Sequence, residues 1–457
     1  MIIRNTRSVC PICLENIPAR LNEEPDGRIF MEKHCPSHGD FRALVWRGRL
    51  PFSSWTRSAA ALGRDEGVLC PAGCGLCEEH LRGSCCVVLE VTKRCNLRCR
   101  FCFADAGKDE EPSFGSLLDS VRDIASKGGK PMLQLSGGEP TLRDGLAELI
   151  RGAKEAGIPY VQVNTNGIRL GEEPSLAPSL AEAGLDFVFL QFDGTDDSVY
   201  RALRGRDLFG IKEKAIENCA EAGLGVTLVP TVVPGVNLDC LGDILKYAAE
   251  RSPGVRGVHF QPVSYFGRTG GGFPSDDDRC TLDELLSELC AQSGLRTDDF
   301  VASRCDHPLC GFHGSFIAEG GMLIPLTKGE SIREEAITSE ENRDFVARHW
   351  IRDRENEPAP MIMNASAVDD GGTKQLPAAG RHRLRLGMEE GGVSDMDTFL
   401  KKVHSQSFTV SSMPFQDAMN LDIERLRSCS LHVYSGGKFV PLCAEYLSPE
   451  GAVEGGE

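Results

Sequence analysis

A partial (β/α)6 barrel, set between a small metal-held unit at the N-terminus and an α+β extension at the C-terminus, is the α/β architecture this sequence predicts. Three observations carry that expectation. Between residues 86 and 265, short apolar runs alternate with amphipathic stretches at a pitch of roughly 30 residues, the pattern of parallel strands joined by crossover helices. Within the first 50 residues, two cysteine-bearing knuckles flank one strand-like run. Beyond residue 265 the periodicity loosens, and order returns near the end as a helix followed by a hairpin.

The N-terminal unit spans residues 1–50. Cys10-Pro11-Ile12-Cys13 and Cys35-Pro36-Ser37-His38 bracket Arg28–Lys33, which reads as a strand. Such knuckles are similar to those of a zinc-ribbon or rubredoxin-like fold, where a metal substitutes for a core too small to stand alone. Cys10, Cys13 and Cys35 are the expected ligands, with His38 as the fourth, and the spacing suits zinc or iron. Residues 51–85 form a linker with Cys70, Cys74 and Cys77 in a turn-rich loop, then His80, Cys85 and Cys86. That Cys-x3-Cys-x2-Cys run suits an auxiliary iron-sulfur cluster, its fourth ligand coming from Cys85, His80 or a distant cysteine.

The barrel segment, residues 86–265, offers strand candidates at Val87–Val91, Met132–Leu135, Tyr160–Val163, Phe187–Phe192, Gly225–Val233 and Gly257–Pro262. Helical stretches such as Leu117–Ala125, Leu142–Ala156, Ser179–Ala183 and Lys212–Ala222 lie between them, several followed by a terminating glycine. Chemistry in such barrels sits at the C-terminal strand ends. The first of these ends carries Cys95-Asn96-Leu97-Arg98-Cys99-Arg100-Phe101-Cys102. Three thiolates on a loop leaving a strand suit a four-iron cluster, whose fourth iron stays open to a substrate or cofactor. Structural zinc sites close with four ligands, and no fourth follows locally. Ser136-Gly137-Gly138-Glu139-Pro140 ends the second strand. Its glycines allow close backbone approach to a ligand, and Glu139 offers an acceptor for an ammonium group. Asn166, at the third strand end, suits ribose hydroxyls; Gln191 and Asp193 end the fourth strand, Pro230-Thr231 the fifth and Gln261 the sixth. The amides of Gln191 and Gln261 are expected to point into the barrel mouth.

The extension, residues 266–457, opens with a Gly/Asp-rich loop at Gly267–Asp278 and includes an aperiodic polar stretch at Asp353–Arg385. Cys305, Cys310, Cys429 and Cys443 are expected to hold a further cluster. Cys219 and Cys240 read as small core residues, and Cys280 and Cys290 carry no assignment.

Composition narrows the function. With 50 basic and 67 acidic residues in 457, the formal charge is −17, which argues against nucleic acid and anionic membrane surfaces as partners. The 19 cysteines, clustered and without an apolar leader run behind Met1–Arg7, point to metal binding in a reducing cytoplasm rather than to disulfides. No apolar run reaches the length of a transmembrane helix.

Cys95, Cys99 and Cys102, with Phe101 before the third cysteine, together with Gly137-Gly138-Glu139-Pro140, resemble the motifs of the radical S-adenosylmethionine (radical SAM) superfamily. The resemblance covers residues 86–265. It implies a [4Fe-4S] cluster whose open iron chelates the amino and carboxylate groups of S-adenosylmethionine. An electron from an external flavodoxin- or ferredoxin-type reductant would then cleave the C–S bond, and the 5′-deoxyadenosyl radical would abstract hydrogen from an unactivated carbon. Gly137, Gly138 and Glu139 would line the methionine end, and Asn166 the ribose side. The N-terminal unit, Cys70–Cys77, Glu111–Phe114, Leu190–Gly194 and Phe260–Ser264 look like the tetraether lipid synthase group and its bacterial relatives. That likeness implies lipid-chain carbon–carbon coupling. The alternatives are methylation of a pterin-like small molecule or modification of a peptide. An iron-sulfur electron carrier without turnover is the non-catalytic option, though it would leave Glu139 and its glycines without a purpose.

Overall fold

The computed structural model describes residues 1–56, 70–71, 76, 80–108, 111–127, 129–269, 273–326, 337–352 and 405–448. Two sheets organise them. The first is an antiparallel meander of β1 (Ile2–Val9), β2 (Asn16–Glu23), β3 (Ile29–Cys35) and β4 (Gly39–Trp46). Alternate residues of its strands, Ile17, Ala19 and Leu21 among them, are buried, as a strand with one covered face requires. This small sheet is tied down from outside. Arg4 pairs with Asp422 and Glu424, Lys33 Nζ donates to the Ala418 carbonyl at 2.6 Å, and Arg47 Nε meets Glu284 at 2.7 Å.

The second sheet contains the barrel: β5 (Cys86–Thr92), β6 (Met132–Gly137), β7 (Val161–Thr165), β8 (Phe187–Gln191), β9 (Gly225–Val229), β10 (Thr231–Val232) and β11 (Val255–Pro262). All six expected runs appear as strands in the expected order. The fifth run is split, because Pro230 has no N–H to donate and the Thr231 N–H turns to Asp193 Oδ1 at 3.0 Å. Core strands such as β5 are apolar on both faces, with Val87, Val88, Leu89 and Val91 at 3% exposure or less, because helices cover one side and the lumen the other. The helix Phe114–Ser126 begins where Ser113 Oγ accepts the Ser116 N–H, and Phe209–Ala222 ends at Gly223 in the left-handed region.

The extension does not stand apart from this barrel. It contributes β12 (Val301–Ala302), β13 (Phe312–Glu319), β14 (Met322–Pro325), β15 (Ser407–Ser412), β16 (Leu431–Ser435) and β17 (Lys438–Pro441) to the same sheet. β15 lies parallel on β11, and β16 lies parallel on β5. The described parallel arc is therefore β16-β5-β6-β7-β8-β9-β11-β15, eight strands, with antiparallel β17 and β13 outside it. Both open edges of the six-stranded core thus find backbone partners. The helix Ser339–Trp350 packs beneath, where Trp350 Nε1 donates to Thr409 Oγ1 at 2.8 Å.

Candidate active site

The cysteine loop leaves β5 at Thr92 and is held from three directions. Thr92 Oγ1 donates to Glu111 Oε1 at 2.8 Å and accepts the Arg94 N–H at 3.0 Å. Leu97 is buried against Ile168, Tyr200 and Leu208, with Cys95 and Cys99 packed beside it. Cys102 and Arg268 exchange backbone hydrogen bonds at 2.9 and 3.0 Å, while Arg268 Nε donates to the Cys99 carbonyl at 3.0 Å. Phe101 meets Tyr265 edge-to-face at 5.9 Å and packs near Val199, Leu203, Val233 and Val263. It anchors the loop between its cysteines. Burial pushes the Cys95 thiol up to about 11, and Glu139, Cys99 and Cys102 add to the rise. Such a thiol ionises when a cation binds, releasing its proton.

Gly137 and Gly138 do approach something closely, and it is the cysteine loop itself. A Cβ on Gly137, whose φ is 114°, would lie 2.4 Å from the Thr92 carbonyl, and one on Gly138 would lie 2.0 Å from that of Arg94. The gap is closed by Gly138 N–H to Thr92 O at 2.7 Å and Glu139 N–H to Arg94 O at 2.8 Å. The sequence reading gave these glycines to a ligand; the structure gives them first to the loop that carries the cluster ligands. Glu139 is 1% exposed. Its Oε1 accepts from the Thr141 N–H, Thr141 Oγ1 and Thr165 Oγ1 at 3.0, 2.6 and 2.6 Å, and its Oε2 from the Asn166 N–H at 2.7 Å. Oε2, with one bond, keeps an acceptor direction for an ammonium group. Asn166 Nδ2 reaches back to Asn96 Oδ1 at 2.7 Å, so the third strand end is stitched to the cysteine loop.

Behind this surface lies a polar network that the sequence reading missed. Arg204 grips Asp193 with two bonds of 2.7 and 2.8 Å, both groups being buried. Burial opposes charge on Arg204, but Asp193 and the Cys99 thiol, which the guanidinium also hydrogen-bonds, hold it firmly protonated. Asp193 further accepts from Gln191 Nε2. It is 0% exposed and fully engaged, which corrects its expected place among the cofactor contacts: it supports the site from behind. Gln191 Oε1 accepts from Lys212 Nζ at 2.9 Å, and the same ammonium serves the Asn166 carbonyl. Burial pulls Lys212 down to about 7 against the opposing charges of Asp193 and Glu139. Only long-range folding brings Lys212 here, from the first turn of the helix Phe209–Ala222.

Inside the arc is a cavity of about 180 Å³. It begins at Phe103, the residue after Cys102, and reaches Cys86, Met132 and Leu431 at the opposite strand ends. Gln261 lines it as expected, whereas Gln191 is taken up by Lys212. Amides at Gln134, Gln162 and Asn164 interrupt its aromatic walls. Burial lowers the pKa of His259 and His313 to about 4, so both are neutral at neutral pH.

At the N-terminus the turns β1–β2 and β3–β4 bring Cys10, Cys13, Cys35 and His38 together with all ligand atoms within 4.8 Å. Cys13 Sγ and Cys35 Sγ are 4.0 Å apart, and His38 Nδ1 is 3.5 Å from the sulfurs of Cys10 and Cys35. Tetrahedral bonds of about 2.3 Å place thiolates about 3.8 Å apart, so one ion fits the set with little movement.

Comparison with known proteins agrees with both centres. Residues 89–248 match the radical SAM superfamily, and residues 2–47 match the HMPTM N-terminal zinc ribbon domain. A 7,8-dihydro-6-hydroxymethylpterin dimethyltransferase from Methanocaldococcus jannaschii is 32% identical over 96% of this chain and 92% of its own. The chain belongs to the radical SAM superfamily. A GTP 3′,8-cyclase from Chlorobaculum tepidum is 31% identical over 48% of this chain and 68% of its own. Streptococcus suis SuiB bound to its precursor peptide SuiA superposes with a TM-score of 0.40 at 13% identity, covering 64% of this chain and 71% of that one.

This radical SAM enzyme uses a [4Fe-4S] cluster and S-adenosylmethionine, and its residues fit both. Among the described residues only the N-terminal set converges on a single-ion point. Cys95, Cys99 and Cys102 stay wider, as a polynuclear cluster requires, and each is half-buried. The other expected cysteines sort less simply. Cys310, Cys429 and Cys443 lie within electrostatic reach of one another, and Arg425 Nε donates to Cys310 Sγ at 3.5 Å. Cys70 is buried in the apolar cluster that holds Cys443. Cys74 and Cys77 lie outside the described residues. Cys305 is buried near Cys85, Ser339 and Ser430. Cys219 is core, but Cys240 is half-buried at the start of a helix with its thiol on Asp239, which corrects the core assignment. Cys280 is buried. Among the described residues no helix is long and apolar enough to cross a membrane.

Proposed function

We propose that this enzyme methylates a pterin-like small molecule held in the barrel lumen beneath S-adenosylmethionine. The observation that carries the reading is the cavity. It starts beside Cys102, holds about 180 Å³, and sets amides at Gln134, Gln162, Asn164 and Gln261 among aromatic walls. Such a lining suits a flat heterocycle that makes hydrogen bonds along its edge. Lipid-chain coupling, the first expectation, calls for a long, uniformly apolar tunnel; among the described residues the cavity, though mostly apolar, carries amides and a carboxylate along its walls, which suits a compact heterocycle better. The relative that spans nearly the whole chain carries a pterin methyltransferase name, which supports the same reading.

When bound, a [4Fe-4S] cluster would supply the electron for reductive cleavage of S-adenosylmethionine. The chain's own residues do the rest. Cys95, Cys99 and Cys102 would hold the cluster, Glu139 Oε2 would receive the methionine ammonium, and Asn166 would border the ribose. Arg204 and Lys212 brace that surface from behind, so that its geometry is set before ligand arrives. The covered lumen keeps water from a reactive carbon centre. The S-adenosylmethionine that is cleaved keeps its methyl group on methionine, so the transferred carbon must come from a second S-adenosylmethionine or another one-carbon donor. Anaerobically reconstituted protein with dithionite, excess S-adenosylmethionine and 7,8-dihydro-6-hydroxymethylpterin is expected to release 5′-deoxyadenosine faster when the pterin is added, and to yield methylated pterin by mass spectrometry once that donor is present. Release indifferent to the pterin, without methylated product, would remove this reading.

A further inference from the structure

Asp306 lines the lumen, and nothing in the expected chemistry employs it. Its Oδ1 accepts the Ser430 N–H at 2.7 Å and Ser430 Oγ at 2.8 Å, which fixes the carboxylate plane. Its Oδ2 has a single long contact, Ser303 Oγ at 3.4 Å. Asp306 makes no ion pair among the described residues, although Arg82 lies within electrostatic reach. Asp306 is half-buried, and a carboxylate oxygen with one long contact keeps acceptor capacity for a ligand's donor.

Two more polar groups of the same cavity lack partners. Gln162 Oε1 and Ser412 Oγ are buried without a hydrogen bond, in residues 2% and 3% exposed. Gln162 Nε2 is committed to Gln134 Oε1, so its carbonyl oxygen is the free end of that amide pair. Unfilled capacity in the lumen is thus mostly acceptor capacity. No Lys or Arg lines the cavity among the described residues, and both lining histidines are neutral. A phosphate or carboxylate inside would face Asp306 with no Lys or Arg among the described lining residues to contact it directly. Flat walls stand on one side, where Phe189 and Trp350 have ring centroids 5.2 Å apart and Phe189 and His259 5.3 Å.

We infer that Asp306 is the substrate-recognition residue of the lumen, taking an adjacent N–H and NH2 edge of a neutral, unphosphorylated planar heterocycle while Gln162 Oε1 and Ser412 Oγ serve its remaining polar atoms. The inference rests on the pterin reading of the cavity and deepens it. A carboxylate and a ring N–H/NH2 edge match as two parallel donor–acceptor pairs, which gives orientation as well as affinity. A site built this way rejects an analogue lacking the donor, because the carboxylate is then buried unsatisfied.

The test measures dissociation constants anaerobically, by pterin fluorescence, on the reconstituted full-length enzyme. Three probes are compared: 7,8-dihydro-6-hydroxymethylpterin, its analogue without the 2-amino group, and its diphosphate ester. Wild type is expected to favour the first by at least about tenfold over each of the others. Asp306→Asn is expected to lose about tenfold or more for the parent pterin and little for the deamino analogue. Iron content and circular dichroism report whether that variant is folded, and Gln162→Leu repeats the test if it is not. Equal affinity of wild type and Asp306→Asn for the parent pterin overturns the assignment of Asp306 and leaves the pterin reading standing. Preference for the diphosphate ester overturns the claim of a neutral ligand. No pterin binding by wild type overturns both readings together.

Discussion

The N-terminal knuckle and the Cys95–Cys102 loop are both cysteine sites, yet they are built on opposite plans. In the knuckle, two short turns aim four ligands at one point, and Cys10 and Cys35 are 0% exposed. The fourth position is filled by His38, so a bound ion has no valence left for substrate. In the loop, three half-buried cysteines stay apart, no fourth cysteine or histidine ligand joins them among the described residues, and Glu139 and Asn166 bond to the loop from the neighbouring strand ends. The closed site substitutes for the core that a four-stranded sheet cannot build alone. The open site gains stability from the protein instead, through Gly138, Arg268 and the packing of Leu97 and Phe101, and keeps its free valence for chemistry.

Four experiments press on that contrast, from the largest expected effect to the smallest. Cys99→Ala removes a ligand from the open site and is expected to abolish 5′-deoxyadenosine formation to background, with secondary structure retained by circular dichroism. Substantial turnover would mean that the loop is not the cluster site. Cys35→Ser opens the closed site. It is expected to lose the N-terminal metal on elemental analysis and to destabilise the small sheet by several kcal/mol, structural zinc binding being worth about 10 kcal/mol or more in such units. The barrel's S-adenosylmethionine cleavage should largely survive, and its collapse would merge the two plans into one.

Gly138→Ala tests whether the open site depends on backbone contact. The added Cβ meets the Arg94 carbonyl at 2.0 Å, so the loop must shift. Iron content and activity are expected to fall together, by roughly tenfold to a hundredfold, the range for loss of a ligand-orienting contact. Unchanged iron loading would show that the glycine serves only the ligand side. Lys212→Met gives the subtlest outcome. Burial of the ammonium lowers its pKa to about 7, so the unfolded chain holds the proton more tightly between pH 7 and the ordinary lysine range. The wild-type cost of burying it is full below pH 7 and fades as pH rises from there. The variant should therefore gain thermal stability most at pH 6 and least near pH 10, while S-adenosylmethionine binding weakens a few-fold. A pH-independent difference would refute the buried ammonium.

Much of this was legible from residue types and spacing. Local rules suffice for strands that are apolar on both faces, for helices ended by glycine, and for ligands that lie within eight residues of one another, because each of these is decided within a turn or two of chain. His38 follows Cys35 by three residues and needed no tertiary information to join it. Other positions were misread for a common reason. Asp193 looks like a polar residue at a barrel mouth until Arg204 covers it. Cys240 looks like core until it lands at the start of a helix with its thiol on Asp239. Lys212 carries no local sign that its helix will pack on the third strand end.

By itself the sequence determined the six core strands, their order and the two cysteine sites, since each is written in a local pattern, while the radical chemistry followed from the resemblance of two motifs to the radical SAM superfamily. Tertiary structure alone decided that β15 and β16 extend the arc on both edges, that Arg204 and Lys212 stand behind the cofactor surface, and that Asp306 looks into the lumen. Those facts depend on contacts between residues up to hundreds of positions apart. Such contacts are settled by which backbone edges remain unpaired and which polar groups must be satisfied once the core has closed.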